Sequence, residues 1–425
     1  MIKPICVVSC PIDTYSGYGA RSRDFVKSLI KLDKYDVKIL SQRWGNTRFG
    51  YLSDHKEEEL MSKVVTQQLT SRPDLWIQIT VPNEFQPNGK YNIGVTAAIE
   101  TNQVDPSWVQ GVNRMDLTLV SSQHSKSTII NPVFEQRDQR TNQLVSTLKC
   151  EKPVEVLFEG LDPFKYLPGP TNRFDLSAVK EQFNFLVVGH WLPGNMGEDR
   201  KNIPYTIKTF LETFKNKPNQ PGLILKITKG NTSIMDRNTI LKEIDQIKNT
   251  VRGKVPNIYL IHGDVTDQEM NLIYNNSKVK AMVSLTKGEG FGRPLLEFSF
   301  VGKPIIASGW SGHIDFLHPE YTTLLPGELT EVHPSSFAKG MITQGMKWFT
   351  PSSEKIGQAY KKVFKKYKEE EVKAKKLGHI NRNKFSDEEM TKLLGSYIEK
   401  YVPEFPSQVA LDLPKLDLPK LEIPK

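Results

Sequence analysis

The chain has 425 residues, of which 38% are hydrophobic and 25% are charged, a composition expected of a soluble globular protein with room for two domains. No apolar run approaches the ~18 residues that a membrane-spanning helix needs, so no transmembrane segment is expected. The net charge of +9 favours acidic partners such as a nucleotide diphosphate, nucleic acid or an anionic lipid surface.

The start of the chain and the cysteine content predict a cytoplasmic protein. Residues 1–9 form a short strand pattern and lack the charged segment and long apolar core of a signal peptide. An odd number of cysteines argues against a disulfide framework and indicates a reducing compartment. They are Cys6, Cys10 and Cys150.

Short apolar runs alternate with helical patterns along the chain, which predicts parallel sheets covered by helices on both faces. The strands form two series, separated by a polar stretch rich in proline and glycine near 159–175. The first predicted series is Ile5–Ser9, Val37–Leu40, Leu75–Ile79, Ile93–Thr96, Leu117–Ser121 and Val154–Phe158. The second is Phe183–Gly189, Leu223–Ile227, Ile258–His262, Ala281–Leu285 and Pro304–Ser308. The predicted helices include Arg21–Leu32, Pro204–Phe214, Thr239–Thr250, Asp267–Tyr274, Glu354–Leu377 and Asp387–Tyr401.

This pattern predicts an α/β protein with two Rossmann-like domains and a cleft between them. The expected boundaries are 1–165 for the first domain, 166–350 for the second, 351–403 for the C-terminal helices and 404–425 for an extended tail. A cleft between two domains is a common place for a small-molecule site.

A glycine-containing loop follows the first strand and enters the first helix. Gly17 and Gly19 permit close approach of the backbone to a ligand, and the helix start near Ala20 offers N–H donors. The loop is therefore a candidate ligand-binding segment.

The stretch from Lys287 to Ser308 joins two apolar strands through a glycine-rich turn and an apolar helix. In a parallel sheet such a turn lies at the carboxyl edge, where ligands bind. Glu289 and Glu297 lie eight residues apart, and ionised carboxylates accept hydrogen bonds from polyol hydroxyls. The N–H groups at the start of the helix suit a phosphate or a sugar hydroxyl.

The Glu-x7-Glu spacing within Gly-Glu-Gly-Phe-Gly-Arg-Pro-Leu-Leu-Glu, followed by Gly-Lys-Pro-Ile-Ile, resembles the donor-site signature of the family-4 retaining glycosyltransferases (glycosyl transferases group 1). The resemblance implies the GT-B fold, in which two Rossmann-like domains face each other across a cleft and C-terminal helices return to the first domain. It also implies transfer of a sugar from a nucleotide-sugar donor, with retention of anomeric configuration.

The resemblance assigns roles to individual side chains in the second domain. Glu289 would contact the transferred sugar, and Glu297 would bind the ribose hydroxyls. Arg200 and Lys201 match an Arg-Lys element that contacts the diphosphate in the family. The base would be held near His262, largely through backbone groups. The N–H groups that would support the sugar or phosphate belong to Gly290, Phe291 and Gly292, and the resemblance also places Gly17 and Gly19 over the sugar and diphosphate.

Two positions depart from the family pattern. Many relatives have an arginine where this chain has His190, so Lys226 or Lys229 would have to supply the second cation, and Lys226 lies nearer the predicted strand end. Many relatives also have a histidine where this chain has Glu100. Glu100 would then orient a sugar or acceptor hydroxyl, or it is a loop carboxylate with no such role.

The sequence leaves the acceptor open. A glycan or lipid-linked acceptor is the first expectation, and the basic balance also allows a hydroxylated base in viral DNA. A non-catalytic nucleotide-sugar-binding protein with the same fold is an alternative. No Asp-x-Asp motif occurs, so we expect metal-independent transfer without a cofactor, the nucleotide sugar being a co-substrate.

The last fifteen residues repeat a five-residue unit, Leu-Asp-Leu-Pro-Lys or Leu-Glu-Ile-Pro-Lys. Proline at every fifth position excludes a regular helix and favours extended backbone. The tail would dock a protein partner, or it is flexible or packs across its own domain.

Overall fold

A computed structural model describes residues 3–66, 71–138, 140–230 and 232–405. Two six-stranded parallel sheets dominate it, with strand orders β2-β1-β3-β4-β5-β8 and β11-β10-β9-β12-β13-β14. The strands up to the domain junction are β1 Ile5–Cys10, β2 Asp36–Ser41, β3 Leu75–Ile79, β4 Tyr91–Thr96, β5 Leu117–Val120, β6 Phe134–Arg137, β7 Leu144–Leu148 and β8 Val154–Val156. The later strands are β9 Asn184–His190, β10 Gly222–Thr228, β11 Ile258–Ile261, β12 Val279–Ser284, β13 Ile305–Ser308, β14 Thr323–Leu325, β15 Gly327–Glu331 and β16 Lys347–Pro351.

Helices cover both faces of each sheet, as the alternating pattern predicted. The central strands are therefore buried almost throughout, and they read as continuous apolar runs. The first-domain helices are α1 Gly17–Leu32, α2 Tyr51–Asp54, α3 Glu58–Lys63, α4 Pro106–Asn113 and α5 Gln123–Ile130. The remaining helices are α6 Ile203–Phe214, α7 Ile234–Asn249, α8 Asp267–Asn275, α9 Arg293–Phe300, α10 Ser353–Lys365, α11 Tyr367–Lys384 and α12 Asp387–Tyr401.

The strand order reverses between β1 and β3 in the first sheet and between β9 and β12 in the second. Loops that leave such neighbouring strands in opposite directions open a crevice at the carboxyl edge. The two crevices face each other, because the hydroxyls of Ser121 and Ser122, just after β5, donate to the carbonyl of Gly290, after β12. The fold thus places the ends of both sheets around one cleft.

Two antiparallel hairpins, β6–β7 and β15–β16, were not anticipated from the sequence. The strands of the first are short and largely exposed, so they lack the apolar run by which the central strands were recognised. Among the described residues, no helix is both long and apolar enough to cross a membrane. The repeat predicted as a tail lies outside the described residues.

The C-terminal helices differ from the predicted arrangement. The continuous helix expected over Glu354–Leu377 is two helices, α10 and α11, which meet at Lys366. Buried Glu370 supports this corner, because it pairs with Lys362 of α10 at 3.2 Å and with Lys373 of α11 at 3.3 Å.

Among the described residues, the last of these helices makes the main contact with the first domain. The Tyr360 ring of α10 lies among phenylalanines in the core of the second domain, with its centroid 5.1 Å from that of the Phe185 ring. Helix α11 packs on α9 of the same domain. By contrast, α12 packs on α1, where the Thr391 hydroxyl donates to Ser28 at 2.9 Å. The chain therefore returns to the first domain after Lys384, and the segment 351–384 belongs structurally to the second.

Candidate functional site

A cavity of about 240 Å³ lies between the two domains at the facing carboxyl edges. The start of α1 and the loops after β2, β4, β5 and β8 line it from one side, and the loop after β9 and the turn between β12 and α9 line it from the other. Cations, carboxylates and glycines share its walls, a combination that suits a phosphorylated sugar. The lining includes Gly17, Tyr18, Trp44, Glu100, Glu159, Lys201, Glu289, Gly290, Phe291, Gly292 and Arg293.

Glu289 is the centre of an ion-pair cluster at this cavity. Its Oε1 lies 2.7 Å from the Nζ of Lys201, and its Oε2 lies 3.4 Å from the Nη1 of Arg200. The Nη2 of Arg200 lies 3.2 Å from a carboxylate oxygen of Glu100. Two cations predicted to face a diphosphate and two carboxylates predicted to face hydroxyls are therefore in direct contact.

The charges of the cluster stabilise one another. Burial alone would raise the pKa of Glu289, but the adjacent Lys201 and Arg200 outweigh it and lower that pKa to about 2. The Glu289 side chain is only 12% exposed, so the ion pairs are weakly screened by solvent. At neutral pH Glu289 is therefore ionised.

Contacts within the second domain and across the cleft hold the turn that carries Glu289. Its backbone N–H donates to the Ser311 hydroxyl at 2.9 Å, and its carbonyl accepts from Gly312 N–H at 2.9 Å. The next carbonyl, of Gly290, accepts from three first-domain hydroxyls, which belong to Ser121, Ser122 and Ser125. These serines were not predicted as site residues, because a small hydroxyl in a loop is common and carries no period.

The two first-domain glycines have different roles. Gly17 lines the cavity, and a side chain there would meet nothing within 4 Å. Gly19 does not line it. A Cβ there would lie 2.2 Å from the carbonyl oxygen of Thr14, so this glycine is required for packing of the first turn of α1 against the preceding loop. Of the two glycines predicted to border the ligand, Gly17 lines the cavity and Gly19 does not.

Glu297 lies behind the cavity, outside its lining. It is 8% exposed and contacts the Nε of Arg293 at 3.2 Å and the hydroxyl of Tyr274 at 2.9 Å. Burial raises the pKa of Glu297 to about 7, although Arg293 acts in the opposite direction. Arg293 also reaches Asp24 of α1 at 2.5 Å. The second carboxylate of the signature is therefore tied to the domain interface.

Gly290, Phe291 and Gly292 line the cavity as predicted, whereas the predicted donor-site residues His190, Lys226, Lys229 and His262 do not. His190 contacts the hydroxyl of Thr228 at 3.2 Å, and His262 contacts Asp236 at 2.9 Å. The Nζ of Lys226 donates to the carbonyl of Gly263 at 2.8 Å. Lys229, in contrast, is ion-paired with Glu243. Lys226 therefore keeps the charge that a ligand could use, since it has no carboxylate within 4 Å in the described part of the chain.

Trp44 is a cavity residue that sequence reasoning missed. Its ring stacks on that of Tyr18 with centroids 4.0 Å apart, and both rings line the cavity. The loop after β2 has no hydrophobic period and no glycine motif that would have marked the tryptophan. The Trp44 ring reaches the cavity because the loop after β2 and helix α1, which carries Tyr18, lie side by side in the folded chain.

The architecture has counterparts among solved structures of glycosyltransferases. Anabaena HepE, solved with UDP and glucose, is 13% identical, with a TM-score of 0.61 over 93% of this chain and 100% of that one. The sucrose-phosphate synthase of Thermosynechococcus elongatus is also 13% identical, with a TM-score of 0.58 over 94% and 98%. A trehalose-6-phosphate synthase studied for glycosyl transfer with retention is 12% identical, with a TM-score of 0.56 over 94% and 100%.

These similarities confirm the predicted fold class. The chain has the GT-B fold, with two Rossmann-like domains facing across a cleft. No protein-family model matches the chain, and no curated protein sequence does either. At such low identity the likeness extends to the architecture, and the chemistry has to be argued from the site.

Substituting Gly312 tests how tightly the turn that carries Glu289 is packed. A Cβ at this position would lie 2.1 Å from the carbonyl oxygen of Gly290, so backbone would have to move. We expect Gly312→Ala to lower the free energy of unfolding by about 1–3 kcal/mol. Chemical denaturation measures this. Gly169→Ala is the control, because a Cβ there meets nothing within 4 Å, and an equal loss in both variants would contradict the packing.

Proposed function

We propose that this protein is a retaining glycosyltransferase that moves a sugar from a nucleotide-sugar donor to a hydroxyl acceptor. The observation that carries the proposal is the contact of Lys201 and Arg200 with Glu289 in a cavity between two Rossmann-like domains. The two cations are balanced by two carboxylates, because Arg200 also pairs with Glu100. A sugar diphosphate supplies the complementary groups: hydroxyls for Glu289 and phosphate oxygens for the cations.

In the proposed reaction the acceptor hydroxyl oxygen forms a bond to the anomeric carbon on the face from which the diphosphate leaves. The bond between that carbon and the phosphate oxygen breaks, and a phosphate oxygen takes the acceptor proton. Negative charge grows on the departing diphosphate, and Lys201 and Arg200 stabilise it more in the transition state than in the ground state.

The remaining residues position the donor in this proposal. Glu297 would hold the ribose hydroxyls, His190 and Lys226 would lie near the diphosphate, and the base would sit against the backbone at His262. The N–H groups from Gly290 to Gly292 would support the sugar. Glu100 acts here as a positioning residue, because its carboxylate holds Arg200 beside Glu289. Two side-chain cations at the phosphates lead us to expect transfer without a divalent metal, which an assay with EDTA checks.

The likeness to HepE, solved with UDP-glucose, and to a trehalose-6-phosphate synthase supports this choice of substrate and of stereochemistry. The decisive experiment incubates the full chain with UDP-, GDP- and ADP-sugars. NMR then follows donor hydrolysis and the anomer first released. A retained anomer from one of these donors is the expected result. Binding without any turnover would instead identify a non-catalytic nucleotide-sugar-binding protein.

The affinity for UDP-glucose should depend on pH through Glu297. With a pKa of about 7, its ionised fraction rises from about a tenth at pH 6 to about nine tenths at pH 8. Only the carboxylate accepts hydrogen bonds from both ribose hydroxyls. We therefore expect binding to tighten about tenfold over this range, measured by calorimetry. Glu297→Gln should flatten the profile, and an unchanged slope in that variant would assign the titration to another group.

A further inference from the structure

A segment that leaves the second-domain sheet reaches across to the first domain. Residues 327–351, which we call the strap, comprise the hairpin strands β15 and β16 and the loop between them. In the first domain, the indole N–H of Trp108 donates to the strap carbonyl of Gly340 at 2.7 Å, and Ile342 of the strap packs against the same apolar core as Trp108. The strap has a small buried core of its own, formed by Val332, Met346 and Trp348. It is therefore a folded unit attached to both domains.

The strap binds the first-domain loop that carries Glu100. Asn102, two residues further on, donates its backbone N–H to the carbonyl of Lys347 at 2.8 Å. The Oδ1 of Asn102 accepts from the N–H of Lys347 at 2.7 Å. These two hydrogen bonds join the loop to the first residue of β16.

The strap also binds the second-domain loop that carries Arg200 and Lys201. Glu198, two residues before Arg200, accepts at its carbonyl from the Ser336 hydroxyl at 2.9 Å. The Glu198 carboxylate accepts from the Ser335 hydroxyl at 3.2 Å. Both serines lie in the loop between β15 and β16, so one segment holds the loops of Glu100 and Arg200 from opposite domains.

A third contact reaches the turn that carries Glu289. The carbonyl of Lys287, two residues before Glu289, accepts from the N–H of Phe349 at 2.8 Å. The Lys287 ammonium lies 4.9 Å from the centre of the Trp348 ring, a favourable position for a cation over an aromatic face. The strap thus contacts all three loops at positions two residues away from charged side chains of the cluster.

The cluster forms only if these loops keep their relative positions, because Arg200 contacts Glu100 of the other domain as well as Glu289. Displacing a catalytic group by about 1 Å can lower a rate about a hundredfold. We propose that the strap is a positioning element for sugar transfer and that Asn102 and Ser336 are positioning residues, which act through the loops of Glu100 and Arg200. The inference rests on the proposed function and assigns it residues outside the cavity.

Two single variants of the full chain each remove one strap hydrogen bond. Asn102→Ala removes the acceptor of the Lys347 N–H, and Ser336→Ala removes the donor to Glu198. The assay follows hydrolysis of whichever UDP-, GDP- or ADP-sugar the unmodified chain turns over. We expect each variant to lower kcat about tenfold, with a smaller rise in KM, because the charges are displaced while the donor still binds. Asn102→Asp keeps an acceptor oxygen and should recover most of the rate.

Asn113→Ala is the matched control for lost stability. The Asn113 side chain donates to the carbonyl of Lys149 and accepts from the N–H of Glu151, both at 2.8 Å, so it joins first-domain backbone away from the strap. This variant should lower the free energy of unfolding, measured by chemical denaturation, and keep its kcat. An equal fall in kcat in Asn113→Ala would assign the strap effects to general destabilisation and overturn the proposal.

The double variant Asn102→Ala/Ser336→Ala tests whether both residues act through one strap. Breaking either attachment already uncouples the two loops, so the double variant should lose little more than a single variant. Losses that multiply, or a normal kcat in both single variants, overturn the proposal while the unmodified chain remains active. If the unmodified chain turns over no nucleotide sugar, the proposed function fails and this proposal fails with it, so the two failures are distinguishable.

Discussion

Replacing Lys201 with alanine is expected to lower kcat by about 10²–10³. Its Nζ lies 2.7 Å from Glu289 at the cavity, so it is placed to meet the diphosphate as the glycosidic bond breaks. A charge that acts on the developing anion affects the transition state more than the bound substrate, so kcat should fall more than KM rises. Single-turnover kinetics with the active donor measures the chemical step directly.

Two variants control for charge and for position. Lys201→Arg keeps the charge on a differently shaped group and should recover part of the rate. Lys217→Ala removes an exposed lysine that has no carboxylate within 4 Å in the described chain, and it should turn over normally. If Lys201→Ala stays folded and retains a near-normal kcat, the electrostatic mechanism proposed here is wrong.

Replacing Tyr360 with alanine should cost about 3–5 kcal/mol of stability, the range for a large aromatic side chain removed from a core. The Tyr360 ring is fully buried, with the rings of Phe185, Phe210 and Phe214 within about 6 Å. The loss should appear as reduced hydrogen-exchange protection in β9 and α6, while β1 to β5 keep theirs.

Tyr360→Phe separates ring packing from the hydroxyl. The hydroxyl is buried beside the side chain of Thr209, so removing it should cost far less stability than removing the ring. Equal losses in the two variants would show that the hydroxyl contributes more than the ring. Lost protection in the first sheet would contradict the assignment of α10 to the second domain.

Local patterns were sufficient to predict much of the architecture. Runs of β-branched residues alternating with helical periods indicate parallel sheets, because only strands buried on both faces tolerate such continuous apolar runs. The contact of Lys201 and Arg200 with Glu289 is also consistent with the sequence pattern, because residues that follow parallel strands converge at one edge of the sheet.

Other parts of the site depend on contacts between distant segments. Trp44 reaches the cavity from a loop without any period, and Gly19 serves packing against Thr14, although it resembles a ligand-binding glycine. Similarly, the corner at Lys366 arises because α10 and α11 pack on different helices of the second domain. Nothing in the spacing of their apolar residues distinguishes such a corner from one continuous helix.

The amino-acid sequence by itself determined the α/β class, the two strand series and the chemical groups of the proposed donor site. These follow from short-range periodicity and from turn chemistry, which act within a few residues. The tertiary structure alone decided which charges meet, which carboxylate is buried beside an arginine and which loops the strap joins. Burial and distance set those properties, because the strength of a charge or of a hydrogen bond depends on what surrounds it in space.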